Sequence, residues 1–137
     1  MSRVFLDTSY AVALATPKDE HHRQALALNT DIQRRGTRVL TTRAVLLEIG
    51  NSMAKRWHRA SGATLLRLFE ADPRIEIVPL SEDLYRRGFE MFAQRRDKDW
   101  GLVDCLSFVT MQDHRIFDSL TTDEHFEQAG FRALMRS

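Results

Sequence analysis

The sequence predicts an α/β domain built on a parallel sheet, and three observations lead there. Short stretches of strand character (Val4-Phe5-Leu6, Arg38-Val39-Leu40-Thr41, Ile75-Glu76-Ile77-Val78, Ile116 to Thr121) alternate with stretches of helical periodicity. The connections between them are short, so each strand–helix–strand passage reads as a right-handed crossover, with helices on both faces of the sheet. The 137 residues are 43% hydrophobic and 28% charged, an ordinary globular balance that supports one domain over residues 1–137 with its own core.

The elements follow in order. A first strand runs from about Arg3 to Leu6 and stops at Asp7-Thr8-Ser9; Tyr10 to Ala15 forms a short helical turn, halted near Pro17. A second helix starts at Asp19 or Glu20, carries Ala25, Leu28 and Ile32 on its apolar face, and ends at Gly36. After the second strand, Thr42 is placed to cap a third helix whose core stripe is Val45, Ile49, Met53 and Trp57. Ser61-Gly62 is expected to break that helix, which resumes from Ala63 to Glu70 and stops at Asp72-Pro73. The third strand is closed by Pro79, and Ser81 caps a helix with Leu84, Tyr85, Gly88 and Phe92 inward. Arg95 to Asp99 is a charged connection. Trp100 to Met111 is apolar nearly all round, and so a buried helix. The fourth strand ends at Thr122-Asp123, and a helical turn and a last strand, Phe131 to Leu134, complete the chain.

Composition narrows the function classes. The single Cys105 excludes an internal disulfide framework and suits a reducing compartment. No apolar run approaches the ~20 residues of a membrane span, and Asp7 comes too early for a signal peptide, so the expectation is a cytoplasmic protein without a membrane partner. Net charge is only +1, but it is unevenly spread. Arg34, Arg35, Arg38, Arg43, Lys55, Arg56, Arg59 and Arg67 face a single acid, Glu48, across the middle of the chain, whereas residues 97–127 are predominantly acidic. A basic middle beside an acidic last third suits a nucleic-acid enzyme with an acidic metal centre; ordinary solvated helix faces would show the same pattern.

Four carboxylates stand out against this frame. Asp7 and Asp123 each follow a strand, which places both at the carboxyl edge of the sheet, where open parallel sheets bind ligands. Glu48 and Asp104 lie on helices beside apolar stripes, and Asp104 interrupts Leu102-Val103-Asp104-Cys105-Leu106, where an unpaired charge is strongly disfavoured. Each has a structural reading: Asp7 and Asp123 as helix caps, Glu48 paired with Lys55 or Arg43, Asp104 paired with an arginine or capping a later helix start. Brought together, they would repel one another unless a cation sat among them. All-oxygen ligation selects a hard ion, Mg²⁺ or Mn²⁺, and such an ion with open coordination positions serves phosphate chemistry.

Val4-Phe5-Leu6-Asp7-Thr8-Ser9, Val45-Leu46-Leu47-Glu48-Ile49-Gly50-Asn51, Asp99-Trp100-Gly101-Leu102-Val103-Asp104-Cys105-Leu106-Ser107-Phe108 and Leu120-Thr121-Thr122-Asp123-Glu124-His125-Phe126-Glu127-Gln128-Ala129-Gly130-Phe131 resemble, in order and spacing, the four acidic motifs of the PIN domain. Within that family the chain resembles small toxin-type ribonucleases of the VapC kind. The resemblance implies a three-layer α/β/α sandwich and cleavage of RNA phosphodiesters dependent on Mg²⁺ or Mn²⁺. It implies Asp7 and Asp104 as main metal ligands, with Glu48 and Asp123 completing the pocket. It also implies an RNA substrate, a cognate antitoxin and homodimerisation through an apolar helix face. Asp99 is expected to cap the helix of Asp104, and Thr8, Ser9 and Thr122 either to bond the ligand carboxylates or to act as caps. Asn51 is open between a polar role near Glu48 and plain helix surface. His21 and His22 read as a solvated helix start, His125 as structural beside Phe126, and Cys105 as a small buried residue. No histidine is expected as a base.

Two other classes compete. One is a PIN-like module that binds RNA or protein without cutting; the presence of all four acids counts against it. The other is a different phosphate enzyme on a similar sheet. A haloacid-dehalogenase-type phosphatase needs a second Asp two residues after the first, where this chain has Ser9. A response-regulator receiver needs paired acids ahead of its phosphorylated Asp and a lysine after a late strand, and neither is evident.

Overall fold

The computed structural model describes residues 3–136. Five parallel strands, β1 (Arg3–Leu6), β2 (Arg38–Thr42), β3 (Ile75–Val78), β4 (Asp118–Leu120) and β5 (Arg132–Ala133), lie in the order β3-β2-β1-β4-β5. Seven helices connect them: α1 (Thr8–Ala15), α2 (His22–Arg35), α3 (Arg43–Ser52), α4 (Arg56–Ala71), α5 (Glu82–Gln94), α6 (Leu102–His114) and α7 (Glu124–Gln128). Successive residues of a strand point to opposite faces, yet Val4, Phe5 and Leu6, and likewise Val39 to Thr42, are all buried. Both faces of the sheet are therefore covered, as in the α/β/α arrangement expected for a parallel sheet.

The strand order places a switch point at β1. From β1 the chain first moves outward through β2 to β3, then returns to pair β4 on the other side, with Phe5 opposite Ser119 and Leu6 opposite Leu120. At such a point the connections leave a crevice at the carboxyl ends of the strands. The core around it includes Phe5, Phe108 and Phe126; the Phe108 ring meets Phe126 and Trp100 edge-on at 5.0 Å.

Caps fall where hydroxyls were expected. Thr42 Oγ1 accepts from the Val45 amide at 3.1 Å, Ser81 Oγ accepts from Leu84 at 3.0 Å, and Gly36 ends α2 in the left-handed region at φ 65°.

Four sequence expectations are corrected. The helix break lies at Met53–Lys55, and α4 runs through Ser61-Gly62 without interruption. Gly62 is a packing residue: a Cβ there would stand 2.9 Å from Met53 Cβ, so α4 turns back closely over the end of α3 only because the side chain is missing. Trp57 accordingly leaves the core stripe; it begins α4 rather than ending α3 and is 70% exposed. On α5, Leu84 and Gly88 face inward as expected, but Tyr85 and Phe92 are largely solvent-facing. The fourth concerns Asp99, which is exposed and does not cap α6; Gly101 stands at that N-cap, and the Asp104 carboxylate accepts from its amide at 3.0 Å.

Candidate active site

Asp7 emerges from β1 and Asp123 from just beyond β4, and the pairing of those strands brings the two together; the Asp7 amide donates to the Leu120 carbonyl at 3.2 Å. Glu48 arrives on α3, whose start is fixed by the Thr42 cap directly after β2, and Asp104 arrives in the first turn of α6. All four line one open cleft of about 530 Å³, with Thr8, Ser9, Val12, Asp19, His21, Ser52, Thr122 and His125. No lysine or arginine is among the residues lining it.

A common device operates at every carboxylate. Thr121 Oγ1 donates to Asp7 Oδ2 at 2.7 Å, and Thr8 Oγ1 donates to Glu48 Oε1. The Gly101 amide donates to Asp104 Oδ2, and the His125 amide donates to Asp123 Oδ1 at 2.9 Å. Each carboxylate thus has an oxygen held by a hydrogen bond from the protein, and at Glu48, Asp104 and Asp123 the second oxygen is free of any hydrogen bond among the described residues. Such donors orient a ligand carboxylate while leaving its coordinating oxygen available. The fit to a hard divalent ion is therefore good: oxygen donors from four separate elements, each oriented before the ion arrives.

Thr121 closes a hydroxyl chain. Because its proton goes to Asp7, its oxygen accepts from the Asp123 amide at 3.0 Å and from Ser9 Oγ at 3.1 Å; Ser9 Oγ in turn accepts from the Thr122 amide at 3.0 Å. The fully buried Thr121 hydroxyl is thereby saturated, and it ties the backbone of the Asp123 turn to the Asp7 side chain.

Burial dominates the electrostatics. Asp7 is only 5% exposed, and burial lifts its carboxyl from the usual range to about 7; the Thr121 hydroxyl and Thr8 backbone oppose the shift, and the Asp104 and Glu48 charges add to it. Asp104 is also raised, by burial first and then by Asp123, against the Gly101 amide and His125. Two carboxyls are thus held above their ordinary range beside further acids, an arrangement that a cation would relieve.

Sequence reading missed two members of this constellation. His125, expected to be structural, presents Nδ1 to the cleft, 3.1 Å from Asp104 Oδ2 and 3.3 Å from Asp123 Oδ1. With those two aspartates it forms a group whose ligand atoms lie within 4.8 Å of one another. Its Asp-x-His spacing next to Phe126 was visible; the direction of the ring was not. Thr121 looked like a plain strand residue, and only the pairing of β4 with β1 turns it towards Asp7. The remaining polar residues sort plainly. Thr8 and Ser9 act on the carboxylate network, Thr122 lines the cleft, and Asn51 is exposed helix surface while Ser52 reaches the cleft. Glu48 pairs with neither Lys55 nor Arg43, since Arg43 bonds Glu70. His21 lines the cleft mouth, whereas His22 Nδ1 lies 2.7 Å from the Ala13 carbonyl. Cys105 is fully buried and its thiol is pushed up to about 11, which removes it as a nucleophile.

The chain is similar to known proteins over nearly its whole length. The 23S rRNA-specific endonuclease VapC20 of Mycobacterium tuberculosis is 29% identical over 129 residues, spanning 93% of this chain and 95% of that protein. The crystal structure of M. tuberculosis VapC20, a sarcin-ricin loop cleaving toxin, superposes with a TM-score of 0.85 at 22% identity, covering 94% of this chain and 96% of that one. VapBC2 from Rickettsia felis, solved bound to a fragment of its promoter DNA, shares the fold at a TM-score of 0.66 and 15% identity, covering 93% of each chain. The PIN domain model matches residues 4–132, and with nearly the whole chain inside that match, this protein belongs to the PIN domain family.

Proposed function

We propose that this protein is an endoribonuclease dependent on Mg²⁺ or Mn²⁺, hydrolysing RNA phosphodiester bonds at the cleft of Asp7, Glu48, Asp104 and Asp123, and that it is the toxin of a toxin–antitoxin pair. The observation that carries this reading is that four carboxylates from four elements line one cleft, each with an oxygen held in place by a hydrogen-bond donor of the protein. Helix capping alone does not account for it: Asp7 occupies an N-cap position but makes no side-chain cap hydrogen bond, and spends its oxygen on Thr121 instead. Bound among those oxygens, a divalent cation supplies Lewis acidity and neutralises charge on a phosphoryl group.

The protein's own contribution is orientation and exclusion. Thr121 and Thr8 hold Asp7 and Glu48, the Gly101 amide and the α7 turn hold Asp104 and Asp123, and Val12 gives the cleft an apolar wall. The absence of lysine and arginine from the lining leaves charge compensation at the scissile phosphate to the cation. Phosphate contacts along the rest of the RNA fall to Lys55, Arg56, Arg59 and Arg67, none of which is in an ion pair among the described residues; such contacts give affinity without sequence choice. The exposed apolar side chains of Trp57 and Leu68 on α4, and of Tyr85, Phe89 and Phe92 on α5, suit a protein that works with an antitoxin and a second copy of itself.

The test uses purified protein and 23S rRNA, the substrate class of the VapC20 relative. Cleavage is expected with Mg²⁺ or Mn²⁺ and none with EDTA, and Asp7→Asn and Asp104→Asn are each expected to slow it by about 10²-fold or more. RNA binding that persists in all variants while wild type never cuts would identify a binding module instead. Variants as active as wild type would remove the reaction from this cleft.

A further inference from the structure

We propose that Trp57, at the start of α4, is a stacking platform for one unpaired base of the RNA, flanked by cations that take the neighbouring phosphates. This rests on the reading of the protein as a ribonuclease and names a substrate contact that the four carboxylates do not provide.

The stretch Lys55-Arg56-Trp57-His58-Arg59 is not what the fold by itself asks for. It opens a helix of 16 residues, Arg56–Ala71, whose N-terminus carries the positive end of the helix dipole. Acids belong there, yet the first turn holds none, and Lys55 at the N-cap makes no side-chain cap hydrogen bond. Lys55, Arg56 and Arg59 are exposed, and none forms an ion pair among the described residues. In their midst Trp57 is 70% exposed. The helix gains nothing from cations or a solvated indole at these positions, whereas a polyanion carrying unstacked bases meets both.

The chemistry of the cluster favours nucleic acid over protein. Lys55 Nζ stands 5.8 Å from the Trp57 ring centroid, so a base on the indole has a cation at hand for its own phosphate. The exposed rings of α5 differ: Tyr85 and Phe89 stack on each other at 6.3 Å, and Arg87 between them in sequence is paired with Asp113. Position agrees as well. Ser52, the last residue of α3, lines the cleft with Glu48, and only the turn Met53–Lys55 separates α3 from α4. At most about 18 Å of extended chain lies between Ser52 and Trp57, a span of a few nucleotides. Stacking accepts any base but requires one that is unpaired, so this contact selects loops and single strands over duplex RNA.

The test uses a short single-stranded oligoribonucleotide in EDTA, its duplex form, and an abasic strand of the same length. Trp57 fluorescence reports the contact, because the other tryptophan, Trp100, is buried and donates to Gln128. Quenching by the single strand is expected in wild type and is lost in Trp57→Phe, which keeps its affinity within about threefold. Trp57→Ala and Trp57→Leu are each expected to bind the single strand about tenfold more weakly, but the abasic strand as tightly as wild type does. In cleavage of 23S rRNA with Mg²⁺, Trp57→Ala is expected to raise KM about tenfold with little change in kcat. The side chain is exposed, so these variants are expected to fold as wild type, which urea denaturation checks. Equal quenching by duplex and single strand, or Trp57→Leu binding as tightly as wild type, overturns the proposal. So does self-association that Trp57→Ala abolishes while RNA binding stays intact, since the indole is then a protein contact. Wild type that cuts 23S rRNA, with binding and cleavage both indifferent to Trp57, removes this inference and leaves the ribonuclease reading standing. Wild type that neither binds the strand nor cuts 23S rRNA overturns both.

Discussion

Asp7 concentrates the cost of building this site. Its carboxyl is raised to about 7, above the 3.8 it has unperturbed, so the native state resists its ionisation. Below pH 4 the group is protonated in both native and unfolded protein, and its favourable contribution is complete there. Between pH 4 and 7 the unfolded chain binds fewer protons than the native one, so stability falls as pH rises, levelling above 7. Asp7→Asn removes this dependence while keeping an acceptor for Thr121. In EDTA the variant is expected to be more stable than wild type by about 1–3 kcal/mol at pH 8, with the difference shrinking towards pH 5, by urea denaturation. A difference independent of pH would mean that Asp7 is not the group that resists ionisation. The same residue scale shows where sequence reading stops: Asp7, Glu48, Asp104 and Asp123 announce themselves because acids interrupt apolar patterns. Thr121 and His125 do not, because a hydroxyl in a strand and a histidine on a short helix break no pattern.

Among the elements, the α5–α6 pair is the tightest joint, and Gly88 is the reason. A Cβ at Gly88 would stand 2.5 Å from Leu106 Cδ2 and 3.3 Å from its Cα, so the helices approach at the distance set by a missing side chain. Gly88→Ala improves helix propensity by about 1 kcal/mol but overpacks this contact, and a net loss of about 1–2 kcal/mol is expected in chemical denaturation. Adding Leu106→Ala should relieve the clash, making the double variant less destabilised than the sum of the singles. Because α6 carries Asp104 in its first turn, this joint also sets where that carboxylate stands. Element existence was readable from periodicity throughout; the misplaced break at Ser61-Gly62 arose because a glycine in a helix signals a stop and a close approach with the same letter. The outward-facing Tyr85 and Phe92 show the converse, since aromatic residues at helical spacing mark an apolar face without saying what covers it.

For the molecule as a whole, the cleft joins elements distant in sequence, so an ion bound there should act on the native state alone. At a concentration of about 100 times its Kd, one Mn²⁺ is expected to add about 2.7 kcal/mol. For a domain of this size that corresponds to a rise in Tm of roughly 5–12 °C. The rise should be larger at pH 8 than at pH 6, where the proton on Asp7 competes with the ion, and it should vanish in Asp104→Asn. Equal stabilisation of wild type and that variant would place the ion elsewhere.

Strand and helix order, the parallel sheet and the identity of the four acids follow from patterns local to each segment: alternation and burial for strands, three-to-four-residue spacing for helices, charge where apolar residues were due. Those are properties of neighbours in the chain, and they are written in it directly. Which oxygen of each carboxylate is held, that Thr121 reaches Asp7 from 114 positions away, and that the His125 ring faces Asp104 arise from the pairing of β1 with β4 and the seating of Phe126 in the core. Contacts of that kind depend on side-chain direction at the meeting of separate elements, a quantity that no single segment carries.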